Sequence, residues 1–382
     1  MLRSDNLASI EDLRRRARRR LPKAIFDFID GGSQDEVSLA ANRRDFERLA
    51  LVPRVLTDVS KRQLASTVLG ERVAFPLIVA PTGLAGLLSR KGEVAEARAA
   101  EAAGIPYCLS QMAASSIEEV KAATRRSFWF QSYLVKDRSI NEALIDRAAS
   151  AGCKVLVITL DTKAQGPRER DMRNGFTVPP RVTWRNALDV LRRVHWLHDV
   201  AMGPRVTFAN LAGSLVGSSD IISIARFAAE QYDFSVDWSH IDWCRARWNG
   251  RLALKGILTV EDARLAVEHG ADAVIVSNHG GRQLDHSRSS IAALPAIVDA
   301  VGDRAEVILD GGVRRGGDIL KALAMGARAC MAGRPFLYGL AAGGERGVTR
   351  AIDLLRNEVD NNLALLGRAS VQDLDRSAIR RV

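Results

Sequence analysis

Ala273-Val274-Ile275-Val276 runs directly into Ser277-Asn278-His279-Gly280-Gly281-Arg282-Gln283-Leu284-Asp285. The first four residues form a short apolar run with no polar alternation, the pattern of a parallel strand buried on both faces. An ionisable base, two glycines and a cation leave its end together. Such a loop can hold a base and an arginine at one point while glycine lets the backbone approach a flat ligand. Taken alone it reads equally well as a tight turn with a solvated histidine. The rest of the chain decides between the two.

Similar apolar, strand-like runs lie upstream at 75–81, 105–110, 128–133 and 155–161, and at 252–256, before the opening stretch. Two more follow it at 307–311 and 329–333. Helical patterns separate them, clearest over 92–103, 141–151, 259–269 and 317–325. Strand then helix, eight times over, predicts an α/β fold: a closed parallel (β/α)8 barrel of the TIM type. Residues 1–70 read as an N-terminal helical extension, with an amphipathic helix from Ser9 to Arg20 interrupted at Leu21-Pro22 and ended at Gly31-Gly32. The interval from Asp161 to Leu252 is too long for one helix and its loops, so about 178–240 is an insertion after the fourth strand, on the side where the strands end. The whole chain, 1–382, is predicted to be one domain.

At 47% hydrophobic, 382 residues can fill a large core. No run approaches the roughly 20 apolar residues of a spanning helix, and no export signal is apparent. Cys108, Cys153, Cys244 and Cys330 are scattered with no CxxC pair, so no metal site is expected. The net charge of +10 is partly local. Arg14, Arg15, Arg16, Arg18, Arg19 and Arg20 crowd the first helix, and Arg181, Arg185, Arg192 and Arg193 interleave with Trp184, Leu188, Leu191, Trp196 and Leu197. A solvated face is the default; an anionic membrane surface is the alternative for the second cluster. No nucleic-acid motif accompanies the charge.

In such a barrel the strand ends converge on one mouth. Those ends carry Pro81-Thr82-Gly83, Ser110, Gln131 and Tyr133, Thr159 and Asp161, Lys255, Ser277 with His279 and Arg282, Asp310-Gly311-Gly312, and Gly333-Arg334. One such residue could be structural; several at successive strand ends point to a site. The loops after the seventh and eighth strands are this fold's usual phosphate site, and Asp310-Gly311-Gly312-Val313-Arg314 and Gly333-Arg334 suit an anion.

The histidine motif, Lys255 in Leu254-Lys255-Gly256-Ile257, and residues 310–314 together resemble the FMN-dependent family that oxidises L-2-hydroxy acids. The similarity extends through Leu21-Pro22-Lys23, Trp129-Phe130-Gln131, Arg168-Glu169-Arg170-Asp171 and Gly333-Arg334-Pro335. It implies FMN as cofactor, His279 as base and Asp161 as its orienting partner. Arg168 and Arg282 would bind the substrate carboxylate, Tyr133 its hydroxyl, and Lys255 the anionic edge of the reduced flavin. Ser110, Gln131 and Thr159 would hold the ring edge, with Pro81, Thr82 and Gly83 beside it. Gly312, Arg314, Gly333 and Arg334 would hold the phosphate.

Three positions depart from the family pattern. Phe28 stands where a tyrosine is usual, Ser132 where leucine is, and Met112 where glycolate oxidase has tryptophan. Together they predict a looser, more apolar pocket suited to an aryl or longer alkyl substituent. Gly83, with the segment 196–203, resembles the membrane-associated mandelate and quinone-linked lactate dehydrogenases. Delivery of electrons to a quinone or other carrier is therefore expected. The alternatives are an oxidase that makes hydrogen peroxide and a barrel that binds FMN or phosphate without redox chemistry. A homo-oligomer, of the family's tetrameric kind, is expected, with a cytoplasmic or inner-face peripheral location.

Overall fold

The computed structural model describes residues 7–177, 181, 183–212, 221–231 and 233–382. Eight parallel strands form one sheet: β1 (Leu77–Val79), β2 (Cys108–Ser110), β3 (Trp129–Tyr133), β4 (Val155–Thr159), β5 (Arg251–Ile257), β6 (Ala273–Val276), β7 (Glu306–Asp310) and β8 (Ala329–Ala332). The hydrogen-bonded order is β1-β8-β7-β6-β5-β4-β3-β2. A parallel bridge between Val79 and Tyr107 returns β1 to β2 and closes the barrel. Helices such as Gly92–Ala103, Arg138–Ser150, Val260–Glu268 and Gly316–Ala324 carry the chain back on the outside.

Strand side chains alternate between two faces. Ile78, Trp129, Val157, Ile275 and Met331 point inward into one buried cluster, while Leu77, Phe130, Leu156, Val274 and Leu309 pack outward under the helices. The same alternation builds the mouth. Two residues after an inward apolar side chain comes an inward polar one: Ser110 after Cys108, Gln131 after Trp129, Thr159 after Val157, Lys255 after Ala253, Ser277 after Ile275 and Asp310 after Ile308. The opposite end of the barrel is stoppered by a hairpin of Ser66–Val68 and Glu71–Val73, whose Val68, Leu69 and Val73 join the inner cluster.

The N-terminal segment holds helices Ile10–Arg20, Lys23–Asp30 and Val37–Glu47. Beyond Glu47 it is not helical: Leu49–Leu51 pairs antiparallel with Ile379–Arg381, and the stoppering hairpin follows. These three-residue strands are too short to leave a periodic signal. The expected insertion contains helices Trp184–Arg192, Val194–Ala201 and Ile221–Glu230. Its residues 178–180, 182, 213–220 and 232 lie outside the described residues. Helix Trp238–Arg247 then leads into β5.

Candidate active site

Asp161 follows β4 and His279 follows β6, on either side of β5, and the two meet at 2.9 Å, Oδ1 to Nδ1. His279 holds a left-handed backbone, φ +57°, and its N–H donates to Ser277 Oγ at 3.0 Å. Strain of this kind in a non-glycine residue clusters at functional sites. Asp161 Oδ2 is buried with no partner. Burial pushes the Asp161 carboxyl up, but the charges of His279 and Lys255 outweigh it and hold the group below its ordinary value. Asp161 therefore faces the His279 ring as a carboxylate.

The N-terminal segment fixes the histidine loop. Asn42 and Asn278 exchange amide hydrogen bonds of 2.8 and 2.9 Å in a buried site. Asp285 accepts the Ser38 N–H at 2.8 Å, capping helix Val37–Glu47 with the loop's last residue. Gly281, at φ +74°, carries no Cβ because one would lie 2.5 Å from Leu39 N. The tight approach of helix to loop thus accounts for the second glycine of the motif.

Deeper in the barrel, Lys255 Nζ donates to Ser277 Oγ at 2.9 Å and lies 2.7 Å from Asp310. Ser277 in turn donates to Asp310 at 2.7 Å. Burial pushes the Lys255 ammonium down, but Asp310 and Asp161 outweigh it and raise it above its ordinary value. It is a fixed cation on the barrel axis side of the mouth.

Arg282 donates to the carbonyls of Phe28 at 2.6 Å and Gly31 at 3.2 Å, and its guanidinium carbon lies 5.1 Å from the Phe28 ring centre. Arg168 lies 5.6 Å from the same ring. Burial, then the charges of Arg168 and Arg334, push the Arg282 guanidinium well below its ordinary value. Asp171, 3.5 Å from Arg168, offsets part of that positive field. Two arginines across one phenyl ring form a site that an incoming carboxylate would relieve electrostatically. The half-buried Phe28 ring is tilted against Phe176 at 4.9 Å and lies under both guanidinium groups, so this side of the site is apolar.

At the last two strands, Gly311 and Gly312 adopt φ +110° and +83°. A Cβ on Gly312 would come within 2.3 Å of Asn42 O. Arg43 donates to the carbonyl of Gly312 and, at 2.6 Å, to Asp318. Burial pushes the Arg314 guanidinium down to about 10. Arg334 is used differently from expectation. Its guanidinium donates to the carbonyls of Ile29 at 2.9 Å, Gly31 at 2.7 Å and Gly280 at 3.0 Å, tying the N-terminal segment to the histidine loop. What Gly333 and Arg334 present toward an anion is the start of helix Arg334–Leu365.

Besides Asp161 Oδ2, two more buried polar atoms at the mouth lack partners: Gln131 Nε2 and Thr82 Oγ1. Ser110 occupies the other end of the Gln131 amide at 2.8 Å, so Nε2 is aimed elsewhere. Buried donors are rarely left unsatisfied in a finished structure. A planar ligand with a hydrogen-bonding edge, seated over Lys255, fits this set. Thr159 lines the same layer, and Gly83 approaches Met112, where a Cβ would lie 3.1 Å from its carbonyl oxygen. Pro81 precedes this pair at the end of β1.

Sequence reading passed over Gln111 and gave Gln283 no role. Buried Gln111 accepts from Tyr133 N at 2.8 Å and from Ser132 Oγ at 2.9 Å, which explains the serine in β3. Gln283 donates to the carbonyls of Asp161 and Ala164, both at 3.0 Å, and accepts from Gly166 N at 3.1 Å. It fastens the segment carrying Asp161 and Arg168 to the histidine loop. Only its place inside the motif could have marked it.

A sequence model described as FMN-dependent dehydrogenase matches residues 17–381. An L-lactate dehydrogenase of Caulobacter vibrioides is 43% identical over 374 residues, covering 98% of this chain and 97% of its own. The crystal structure of the monotopic membrane protein (S)-mandelate dehydrogenase superposes with a TM-score of 0.94 at 39% identity, over 99% of this chain and 100% of that one. A mandelate oxidase variant bound to (S)-mandelic acid gives a TM-score of 0.83 at 39% identity, over 98% of each chain. With its matched length, its barrel and its paired histidine and aspartate, this chain belongs to the FMN-dependent dehydrogenase family.

Proposed function

We propose that this protein oxidises an L-2-hydroxy acid of the lactate or mandelate type to the 2-keto acid. The observation that carries the reading is the juxtaposition of the His279–Asp161 pair with two arginines across Phe28. Arg168 and Arg282 bind the substrate carboxylate, and Tyr133, at the inward end of β3, orients its hydroxyl. As the C–H and O–H bonds break and C–O becomes C=O, His279 takes one proton, and the second proton would leave with the two electrons to the acceptor. Asp161 stabilises the resulting imidazolium, and base catalysis of this type is worth about 10²- to 10⁴-fold. FMN, when bound, supplies the two-electron acceptor that no side chain provides. Lys255, Gln131, Ser110, Thr159 and Thr82 would hold its ring, and Gly312, Arg314, Gly333 and the Arg334 amide its phosphate. Phe28, Phe176 and Met112 favour an aryl substituent over a methyl group.

The test is anaerobic bleaching of the yellow holoprotein by a panel of (S)-mandelate, L-lactate and longer 2-hydroxy acids. Bleaching with mandelate ahead of lactate is the expected result. A protein that stays yellow with every acid would overturn the reading, and a strong preference for lactate would overturn the aryl assignment.

The proposed electron acceptor is a quinone at a membrane surface. Among the described residues no helix is long and apolar enough to cross a bilayer. The insertion nevertheless exposes Trp184 at 73%, Leu191 at 64%, Val194 at 68% and Met202 at 61%. The arginine-rich first helix lies against it, through the Arg193 contact to Arg19 O and the Arg20–Asp199 pair at 3.6 Å. An apolar face beside a cationic one suits an anionic lipid surface. Flotation with phosphatidylglycerol vesicles, lost in Trp184→Ser/Leu191→Ser/Val194→Ser, is the expected outcome; equal flotation of the variant would refute it. Stoichiometric peroxide at normal turnover would refute the quinone assignment.

A further inference from the structure

Gly256 follows Lys255 in β5 and belongs to none of the roles assigned above. The strand is irregular there. Lys255 pairs with Ile275 and Ile257 with Val276, so Gly256 is an extra residue in the ladder. Its backbone is in the left-handed region, φ +103°. Bulges of this kind occur beside active sites, where they re-aim a side chain or end the pairing. Here the bulge leaves Lys255 pointing inward to Ser277 and Asp310 and opens a space the size of a side chain on the other side.

That space is occupied by Asp161. A Cβ built on Gly256 would lie 2.7 Å from Asp161 Cβ, 2.8 Å from its Cγ and 2.9 Å from its backbone nitrogen. The three nearest atoms all belong to this one residue. Neither backbone nor a stem carbon can yield as the tip of a flexible chain can. Any other residue at 256 would therefore move Asp161, and the 2.9 Å contact with His279 with it. Gln283 holds the Asp161 carbonyl at 3.0 Å, but the second carboxylate oxygen, Oδ2, accepts nothing that would fix the side chain.

We propose that Gly256 is a positioning residue for the reaction, acting through Asp161: its missing side chain is the seat that aims the carboxylate at His279. This rests on the hydroxy acid reading of the site, because the readout is turnover.

The experiment is a double-mutant cycle on the holoenzyme with Gly256→Ala and Asp161→Ala, measuring kcat, KM and FMN content. Gly256→Ala is expected to lower kcat by about 10- to 100-fold, as for loss of a hydrogen bond to a charged group, with KM and FMN content within about 3-fold of the parent. In the Asp161→Ala background the same change should cost less than about 3-fold, because residues that act as one unit are not additive. Equal losses in both backgrounds, or an unchanged kcat, would overturn the proposal while leaving the reaction assigned. Absence of turnover in the parent enzyme would instead overturn the reading of the site. Should Gly256→Ala yield no folded holoprotein, Gly256→Ala/Asp161→Gly removes two of the three colliding atoms. Recovery of folding and FMN would support the seat, and continued failure would overturn it.

Discussion

Phe28→Tyr adds one hydroxyl to a ring that two arginines already flank. The ring itself should not move. Its backbone carbonyl is held by Arg282 at 2.6 Å, and its face is tilted against Phe176 at 4.9 Å. With the guanidinium carbons of Arg282 and Arg168 at 5.1 and 5.6 Å from the ring centre, the new hydroxyl enters the zone where the substrate carboxylate is expected. A hydrogen bond to a charged group contributes about 1.5 to 3 kcal/mol. Desolvating the hydroxyl before substrate arrives offsets part of this, leaving about 1.4 kcal/mol, or roughly tenfold in affinity. The carboxylate is present in ground state and transition state alike, so the gain should fall in KM with kcat unchanged. Steady-state kinetics on (S)-mandelate measures it, and the neutral amide of mandelate serves as control because it carries no carboxylate. An unchanged or raised KM for the acid, or an equal gain for the amide, would refute the placement of the carboxylate between the arginines.

Removing Gln283 by Gln283→Ala should loosen the segment that carries Arg168, raising KM about tenfold for the loss of roughly 1 to 2 kcal/mol of hydrogen bonding, with kcat held within about 3-fold; an unchanged KM would deny it the fastening role. Lys255→Met leaves Asp310 buried without its counter-charge and with the Ser277 hydroxyl still donating to it, a cost of about 3 kcal/mol, and should lower both thermal stability and FMN retention. Asp310→Asn in that background should recover stability without activity, and a failure to recover would show that the lysine does more than balance Asp310. Glu96, buried on helix Gly92–Ala103 with both carboxyl oxygens unpartnered, is pushed well above its ordinary value by burial and by Glu93. Its folded state keeps the proton that the unfolded chain releases, so its contribution is full below the unfolded pKa and is lost as pH rises toward the folded one. Glu96→Gln should remove about 1 kcal/mol per pH unit from the fall in stability above pH 5, measured by urea unfolding at several pH values; an unchanged slope would refute it.

The strand and helix series was legible because each buried parallel strand is a short unbroken apolar run and each return helix has its own period. What the runs concealed was which side faced in. Leu156 and Val157 are equally apolar, yet the first packs under the helices and the second fills the barrel. The N-terminal segment was read as an appendage, although Asn42, Ser38 and Arg334's partners Ile29 and Gly31 set the histidine loop. Its contacts are to residues more than 230 positions away, and local patterns carry no trace of them. Gln111 and Gly256 were overlooked for the same reason: each matters through one distant backbone or side chain.

Sequence alone determined the repeating βα order, the residue types at the strand ends and the motif from Ser277 to Asp285. These depend on local periodicity and on which chemical groups are present. Tertiary structure decided the rest: that Asp161 and His279 touch, that Arg334 spends its guanidinium on main-chain carbonyls, that two arginines lie over the Phe28 ring, and that Gly256 leaves room for a carboxylate. Closing the sheet brings strand ends far apart in sequence within a few ångströms. Distance, burial and charge at that mouth are properties of the closed barrel, and no single segment holds them.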